Sequence, residues 1–234
     1  MASRTGLTDA VRAFRVDDVA AALDETPELL GARNERGRNW LHLCAMTKAP
    51  DAAGTAGSIA MADLLLARGL GLDEPAFTEG AWKATSLWHA IAFGRNLALA
   101  EHLLKLGCDA NHCLFAAAWN RDVPAIELLA RYGAAIDQPG EGGTALLGAV
   151  GWSRFECAEA LLRHGACVDA QDENGRTALH LMLRKGSDKA HFERLIAYGP
   201  RGDIPDKDGR TAAAIMHRKR DPDFRRMAGR LARG

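Results

Sequence analysis

The 234-residue sequence lacks an excess of charge of one sign and lacks a long apolar run. Thirty Lys and Arg residues balance thirty Asp and Glu residues, which argues against a chain built throughout to coat nucleic acid or membrane. No stretch approaches the roughly 18 apolar residues of a membrane span, and the first residues lack the apolar core of an export signal. We therefore expect a soluble, cytoplasmic protein.

The sequence also lacks a regular set of cysteines. Five cysteines at irregular spacing predict free thiols in a reducing compartment rather than a disulfide framework. Cys108 and Cys113, with His112 between them, form the tightest Cys/His cluster, but a structural zinc ion needs four ligands and no fourth is evident. We expect both thiols to be small buried residues, and we expect no metal and no cofactor.

Motifs of common enzyme chemistry are missing as well. The sequence has no Walker loop, no HExxH and no nucleophile elbow. Residues 140–145, Gly-Glu-Gly-Gly-Thr-Ala, fit the dinucleotide pattern G-x-G-x-x-A, but no strand-like run precedes them as that motif requires. We interpret this segment as a turn, and we predict a non-catalytic protein without a small-molecule substrate.

What the sequence does contain is an internal repeat. A Leu-Leu-x-x-Gly pattern, or a near variant, ends at five glycines: Gly69, Gly107, Gly133, Gly165 and Gly199. Upstream of each, a Thr or a substitute for it opens an apolar run. The last four openings lie 32, 33 and 34 residues apart, at His112, Thr144, Thr177 and Thr211. A period of about 33 residues predicts a solenoid.

Each repeat can be built from local rules. Thr144 and Thr177 are good N-caps for a short helix rich in Ala and Leu. A turn then ends this helix, near Gly94, Ser153 or Gly186 in different repeats. A second helix, such as residues 155–164, ends at a glycine that can take the left-handed conformation. Neither helix can bury its apolar face alone, so neighbouring repeats must stack.

The sequence resembles the ankyrin repeat family. The residues that carry the resemblance are Asp172-x-x-Gly175-x-Thr177-Ala-Leu179-His180, followed by 195–199, Leu-Ile-Ala-Tyr-Gly. The resemblance implies an all-α solenoid of helix-turn-helix units with short hairpin loops. It also implies that His42 and His180 hydrogen-bond the backbone and tie a hairpin to a helix. The proline of the family's Thr-Pro-Leu-His is absent from every repeat.

We expect one ankyrin-repeat domain over residues 1–234, with irregular early repeats. Residues 1–33 are expected to form N-terminal capping helices, residues 34–204 about five repeats, and residues 205–234 a basic C-terminal cap. Residues 47–57 read as an inserted flexible loop between helices, and residues 73–83 as a second extension. These loose early repeats leave open a homo-oligomer formed by exchange of repeats between chains.

The resemblance and the missing catalytic motifs together predict a module that binds another protein through its concave groove. Nucleic acid is an unlikely partner. One alternative is an adaptor or inhibitory subunit of an enzyme complex. Another is a bacterial effector that engages host proteins, such as cytoskeletal proteins, and is secreted into a host cell without a cleavable signal peptide. The ratio of 23 Arg to 7 Lys fits a GC-rich bacterial genome.

Aromatic residues mark the expected partner site. Counted from the opening residue of each first helix, Trp119 occupies position eight, and Phe93 and Trp152 occupy position nine, opposite or beside the core positions. The resemblance implies that these positions line the groove. The predicted partner-binding residues are Trp82, Phe93, Trp119, Asn120, Trp152, Arg176 and Arg184.

Two alternatives remain open at this stage. The inserted loops could cover the aromatic rings and make them core, which would move the site to the hairpins around Glu141 and Glu173. Residues 210–234 carry eight Lys and Arg against Asp221 and Asp223, a net charge of +6. This segment either docks on an acidic surface or, as we favour, forms a solubilising cap with arginines at its helix ends.

Overall fold

The computed structural model describes residues 3–80, 82–140 and 142–231. These residues form fourteen α-helices and a single two-stranded antiparallel sheet, which consists of β1 (Thr78–Glu79) and β2 (Trp82–Lys83). Thr78 lies opposite Lys83 in this sheet. The chain divides into two compact units, Met1–Ala116 and Ala117–Gly234. The predominantly helical fold that the repeat pattern predicts is confirmed.

The first unit contains six complete helices in two rows. They are α1 (Arg4–Arg12), α2 (Val16–Glu25), α3 (Trp40–Met46), α4 (Ala52–Ala67), α5 (Ser86–His89) and α6 (Leu97–Lys105). A 3₁₀ turn covers Pro27–Gly31 and a π-helical turn covers Ala90–Gly94. α3 packs between α1 and α5, and α4 packs between α2 and α6. Each repeat therefore adds one helix to each row.

The second unit follows the same plan. Its helices are α8 (Val123–Arg131), α9 (Ala145–Gly151), α10 (Phe155–Arg163), α11 (Ala178–Lys185), α12 (Lys189–Ile196), α13 (Ala212–His217) and α14 (Pro222–Leu231), and α7 (Leu114–Trp119) crosses the boundary between the units. α9, α11 and α13 pack in succession in one row. α8, α10, α12 and α14 pack in succession in the other. Stacking buries the apolar faces that no single helix could hide.

Threonine N-caps start the first helix of most repeats, as predicted. The Thr144 hydroxyl accepts a hydrogen bond from the amide of Leu147 at 3.5 Å, and the Thr211 hydroxyl accepts one from Ala214 at 3.2 Å. These bonds satisfy amides that the first helical turn leaves unpaired. The third repeat differs from the prediction. His112 has a positive φ of 69°, and α7 begins only at Leu114.

Left-handed residues end the helices at the expected places. All five glycines of the Leu-Leu-x-x-Gly pattern have positive φ, between 69° and 104°. Between the paired helices, Ser153 and Gly186 take this conformation, but Gly94 does not. Arg95 has the positive φ instead. Gly94 is required for a different reason, because a Cβ atom there would lie 2.1 Å from the carbonyl oxygen of Ala45.

The inserted segment of residues 47–57 is shorter as a loop than predicted. α4 begins at Ala52, because the Asp51 carboxylate accepts a hydrogen bond from the amide of Gly54 at 2.8 Å and caps the helix. Residues 52–57 are therefore helical, and only residues 47–51 connect α3 to α4. The second extension, residues 73–83, also has regular structure, since it holds the β1–β2 hairpin.

The hairpins between repeats use one recurring contact. Asp172 Oδ1 accepts hydrogen bonds from the amides of Asn174 and Arg176, both at 2.8 Å. Asp206 Oδ1 does the same for Asp208 and Arg210. Each carboxylate holds its turn by pairing with backbone amides that the turn itself leaves free. Each of these Asp-x-x-Gly segments therefore forms a turn.

The first and last helices of the described chain pack against the helices next to them. α1 and α2 bury Leu7, Val11 and Val19 on their inner sides. At the other end α14 buries Met227, and the ring of Phe224 meets that of Phe192 edge-on at 5.3 Å. The polar sides of these helices remain exposed. No helix within the described residues is long and apolar enough to cross a bilayer.

Candidate functional site

An exposed pair of tryptophans lies in the second unit. Trp119 is the last residue of α7, and Trp152 directly follows α9. Their ring centroids are 4.9 Å apart with an interplanar angle of 90°, an edge-to-face contact that aromatic pairs prefer. Trp119 is 57% exposed and Trp152 is half-buried. We call these two residues the tryptophan pair.

Backbone geometry places both rings at the ends of first helices. Arg121 lies two residues after Trp119, and Ser153 directly follows Trp152; their φ values are positive, at 58° and 57°. This sharp reversal sends the chain into the second helix of each repeat. Because α7 begins at Leu114, Trp119 lies earlier in its helix than a count from His112 suggests.

Basic residues lie beside the tryptophan pair. The Lys185 ammonium donates to the carbonyl oxygen of Gly151, the residue before Trp152. Its neighbour Arg184 is exposed and makes no ion pair within the described chain. Asn120, next to Trp119, is half-buried. A polar rim next to exposed rings is the usual composition of a protein interface.

Arg176 has a different environment from Arg184. Its guanidinium contacts the Asp172 carboxylate through Nε at 2.8 Å and Nη2 at 2.7 Å. Burial works to raise the pKa of Asp172, but the hydrogen bonds from Arg176 and Asn174 outweigh it and hold that pKa below its ordinary value. Arg176 therefore braces the hairpin between two repeats.

The first unit carries a second group of aromatic rings. Trp82, on β2, meets Trp88 edge-on at 4.9 Å and Phe77 at 5.3 Å. Phe93 meets the other side of Trp88 at 5.3 Å and is 41% exposed. The structure thus joins the two predicted residues, Trp82 and Phe93, through Trp88. Trp88 and Phe77 were not predicted, although Trp88 stands where the repeat pattern has histidine.

Buried polar groups lie under these rings. His89 donates from Nδ1 to the carbonyl of Thr85 at 2.7 Å and accepts from Arg38 Nε at 2.8 Å, and its ring lies 5.0 Å from that of His42. Burial lowers the pKa of both histidines to about 4, against backbone hydrogen bonds that work to raise it. Both rings are therefore neutral at pH 7.

The other candidates from the sequence have structural surroundings. Gly140 and Gly143 exchange backbone hydrogen bonds, which confirms that the glycine-rich segment is a turn. Cys108 and Cys113 are buried and free, as predicted, and burial raises the pKa of both thiols. No group of three or more His, Cys, Asp or Glu side chains in the described residues could hold a metal ion. Glu141 lies outside the described residues, and Glu173 is exposed.

The basic C-terminal segment makes several ion pairs with the repeat before it. Lys189 pairs with Asp221 and Asp223 at 2.6 and 2.7 Å, and Arg230 pairs with Glu193. These contacts attach α14 to α12, as a capping helix requires.

Comparisons with known proteins identify the repeat. A family model of ankyrin repeats, with three copies, matches residues 87–172. The human ASB11 ankyrin repeat domain superposes with a TM-score of 0.71 at 22% identity, covering 96% of each chain. The ankyrin repeat domain of Bcl-3, a member of the IkappaB protein family, gives 0.73 at 21% identity, covering 97% of each chain.

An ankyrin repeat domain from Acinetobacter baumannii AYE gives a TM-score of 0.66 at 20% identity, over 82% of this chain and 97% of that one. No curated protein matches the sequence significantly. Residues 87–172 match the ankyrin repeat family, and the chain has the all-α ankyrin-repeat fold. Ankyrin repeats are in general non-catalytic modules of protein–protein interaction.

Proposed function

We propose that this ankyrin repeat protein is a non-catalytic recognition module that binds another protein at the tryptophan pair. The observation that supports this most is the exposure of Trp119, which is 57% accessible at the end of an otherwise well-packed helix. Covering the exposed part of an indole removes on the order of 100 Å² of apolar surface from water, worth about 2 to 3 kcal/mol. This free energy favours the binding of a partner that covers the ring.

The surroundings of the pair fit such a contact. Trp152 holds the Trp119 ring edge-on, so little side-chain freedom is left to lose on binding. Asn120 directly follows Trp119, and Lys185 contacts Gly151 beside Trp152, so we include Arg184, the neighbour of Lys185, as a polar group of the proposed site. Arg176 serves the same surface indirectly, by keeping the hairpin before α11 in place.

We include Trp82 and Phe93 as a second contact area in the first unit. Phe93 is exposed, and Trp82 rests on Trp88 and Phe77. These rings support each other through edge-to-face contacts, so a partner would meet a prearranged surface. Phe93→Ala removes the exposed ring and leaves the contacts between Trp82 and Trp88 intact.

Affinity capture with matched baits tests the proposal. The baits are the wild-type chain, Trp119→Ala, and Leu106→Ala as a control that removes another exposed apolar side chain. We expect a protein that the wild-type and Leu106→Ala baits retain and the Trp119→Ala bait loses. Equal retention by all three baits contradicts the proposed site. The identity of the captured protein separates an adaptor or inhibitory subunit from an effector that acts on host proteins.

A further inference from the structure

A cleft of about 150 Å³ lies in the first unit, between α1, the segment of residues 32–39 that precedes α3, and α3 itself. Three arginines line it: Arg4, Arg12 and Arg38. None of the described residues that line the cleft is acidic. The formal charge of its walls is therefore +3. We call it the arginine cleft.

The geometry of α1 points two of these arginines at the cleft. Arg4, Thr8 and Arg12 are spaced four residues apart, so they form one stripe along the helix. Leu7 and Val11 lie on another side of α1 and are buried in the core. Because packing of the apolar side fixes the rotation of α1, the polar stripe faces the cleft.

Existing contacts orient two of the arginines without neutralising them. Arg4 Nη2 donates to the carbonyl of Arg33, and Arg38 Nε donates to the ring of His89 at 2.8 Å. The Arg38 guanidinium also lies 5.8 Å from the centre of the Phe93 ring. Each guanidinium has five N–H donors, so both keep donors to spare. Their acceptors are neutral groups.

Arg12 has more freedom than these two. It is exposed, and its side chain makes no hydrogen bond or ion pair with any residue that the structure describes. Arg163 and Arg230 differ from it, since both pair with glutamates. Burial lowers the pKa of Arg38, and the charge of Arg36 adds to the effect.

Acidic side chains near the cleft do not compensate the arginines. Glu74 is not part of the lining, and its carboxylate is occupied by an ion pair with Arg33 and a hydrogen bond from Asn39 Nδ2 at 3.0 Å. Asp9 and Glu35 are exposed and form no part of the lining. An anion in the cleft would therefore meet guanidinium groups without a competing carboxylate on its walls.

We infer that the arginine cleft binds an organic phosphate monoester. A phosphate dianion matches several guanidiniums in charge, and its oxygens accept the paired N–H bonds that arginine offers. A carboxylate would bring only one negative charge against three positive ones. The cleft also has room for organic substituents, because a cavity of about this volume can hold a benzene molecule. Trp40 and Leu43 supply apolar surface for that part of the ligand.

Titration of the full chain with phenyl phosphate, followed by calorimetry, tests this inference independently of the tryptophan pair. We expect saturable binding at one site and none with phenol. Arg12→Ala should weaken binding by about tenfold or more, since it removes hydrogen bonds to a charged group. Arg15→Ala, which removes the same charge from the start of α2, is the matched control and should change affinity less than about twofold.

Absence of saturable binding overturns the inference. So does an equal loss for Arg12→Ala and Arg15→Ala, because that result shows only general attraction to positive charge. Thermal melts of both variants confirm that they are folded. A phosphoserine peptide distinguishes the source of the ligand. Tighter binding of the peptide than of phenyl phosphate indicates a phosphorylated partner chain, and the reverse indicates a free phosphorylated small molecule.

Discussion

His180 joins the start of α11 to the carbonyl oxygen of Arg210 in the next hairpin. Its Nδ1 accepts from the amide of Thr177 at 3.2 Å, and its Nε2 donates to the Arg210 carbonyl at 3.0 Å. His42 makes the same pair of contacts, to Asn39 and to the carbonyl of Glu74. The structural role predicted for both histidines is confirmed.

Replacing His180 with Ala should destabilise the protein by about 1 to 3 kcal/mol. The change leaves a buried amide and a carbonyl without their partner. Urea unfolding measures the difference. His217→Ala is the control, because the side chain of His217 is exposed and makes no hydrogen bond with a described residue. Equal stability of the two variants contradicts the role of His180 as a tie between repeats.

Acid should weaken the first unit through His42 and His89. In the folded chain burial lowers both pKa values to about 4, whereas an unfolded histidine protonates near 6.5. Between these values the unfolded chain binds more protons, so the free energy of unfolding falls as pH drops from about 6.5 to about 4. The loss is about 3 kcal/mol for one such histidine, and not additive for the interacting pair.

Unfolding measured across this pH range checks the effect. His89→Gln should be less stable than the wild type at pH 7, since Arg38 and Thr85 lose a partner, and its stability should depend less on pH. His217→Gln should follow the wild-type pH profile. A His89→Gln profile as steep as that of the wild type assigns the pH dependence to other groups.

Gly94→Ala should be severely destabilising. A Cβ atom at this position would lie 2.1 Å from the carbonyl oxygen of Ala45, so α3 and the π-helical turn must separate. We expect a loss of about 2 kcal/mol or more in thermal or urea unfolding. Gly229→Ala is the matched control, because its new Cβ meets nothing within 4 Å in α14. It should be neutral or stabilising by up to about 1 kcal/mol, and a similar loss in both variants contradicts the packing argument.

Local signals made the repeat predictable from the sequence. Threonines such as Thr144 cap a helix with their own hydroxyl, and glycines such as Gly165 end one through their own backbone conformation, so their positions reveal helix ends directly. The start of α4 is hidden in the sequence, because the composition after Asp51 is typical of a loop although Asp51 caps a helix. Arg95 was missed because a positive φ at a non-glycine residue is set by the packing around it.

The candidate site was only partly visible in the sequence. Trp119 and Trp152 lie one repeat apart in the sequence, so the repeat spacing alone predicts that each lies at the end of a first helix. The contact of Trp88 with both Trp82 and Phe93 depends on the β1–β2 hairpin, and no repeat pattern describes that extension. The arginine cleft likewise depends on how α1 rotates against α3.

The most direct test of the recognition role is a double-mutant cycle on the tryptophan pair. Dissociation constants for the captured partner are measured with the wild type, Trp119→Ala, Trp152→Ala and the double variant. We predict that Trp119→Ala costs about 2 kcal/mol or more of binding with an unchanged thermal melt, and that the two changes are coupled by about 0.5 to 1.5 kcal/mol. Unchanged dissociation constants in all three variants would contradict the proposed site.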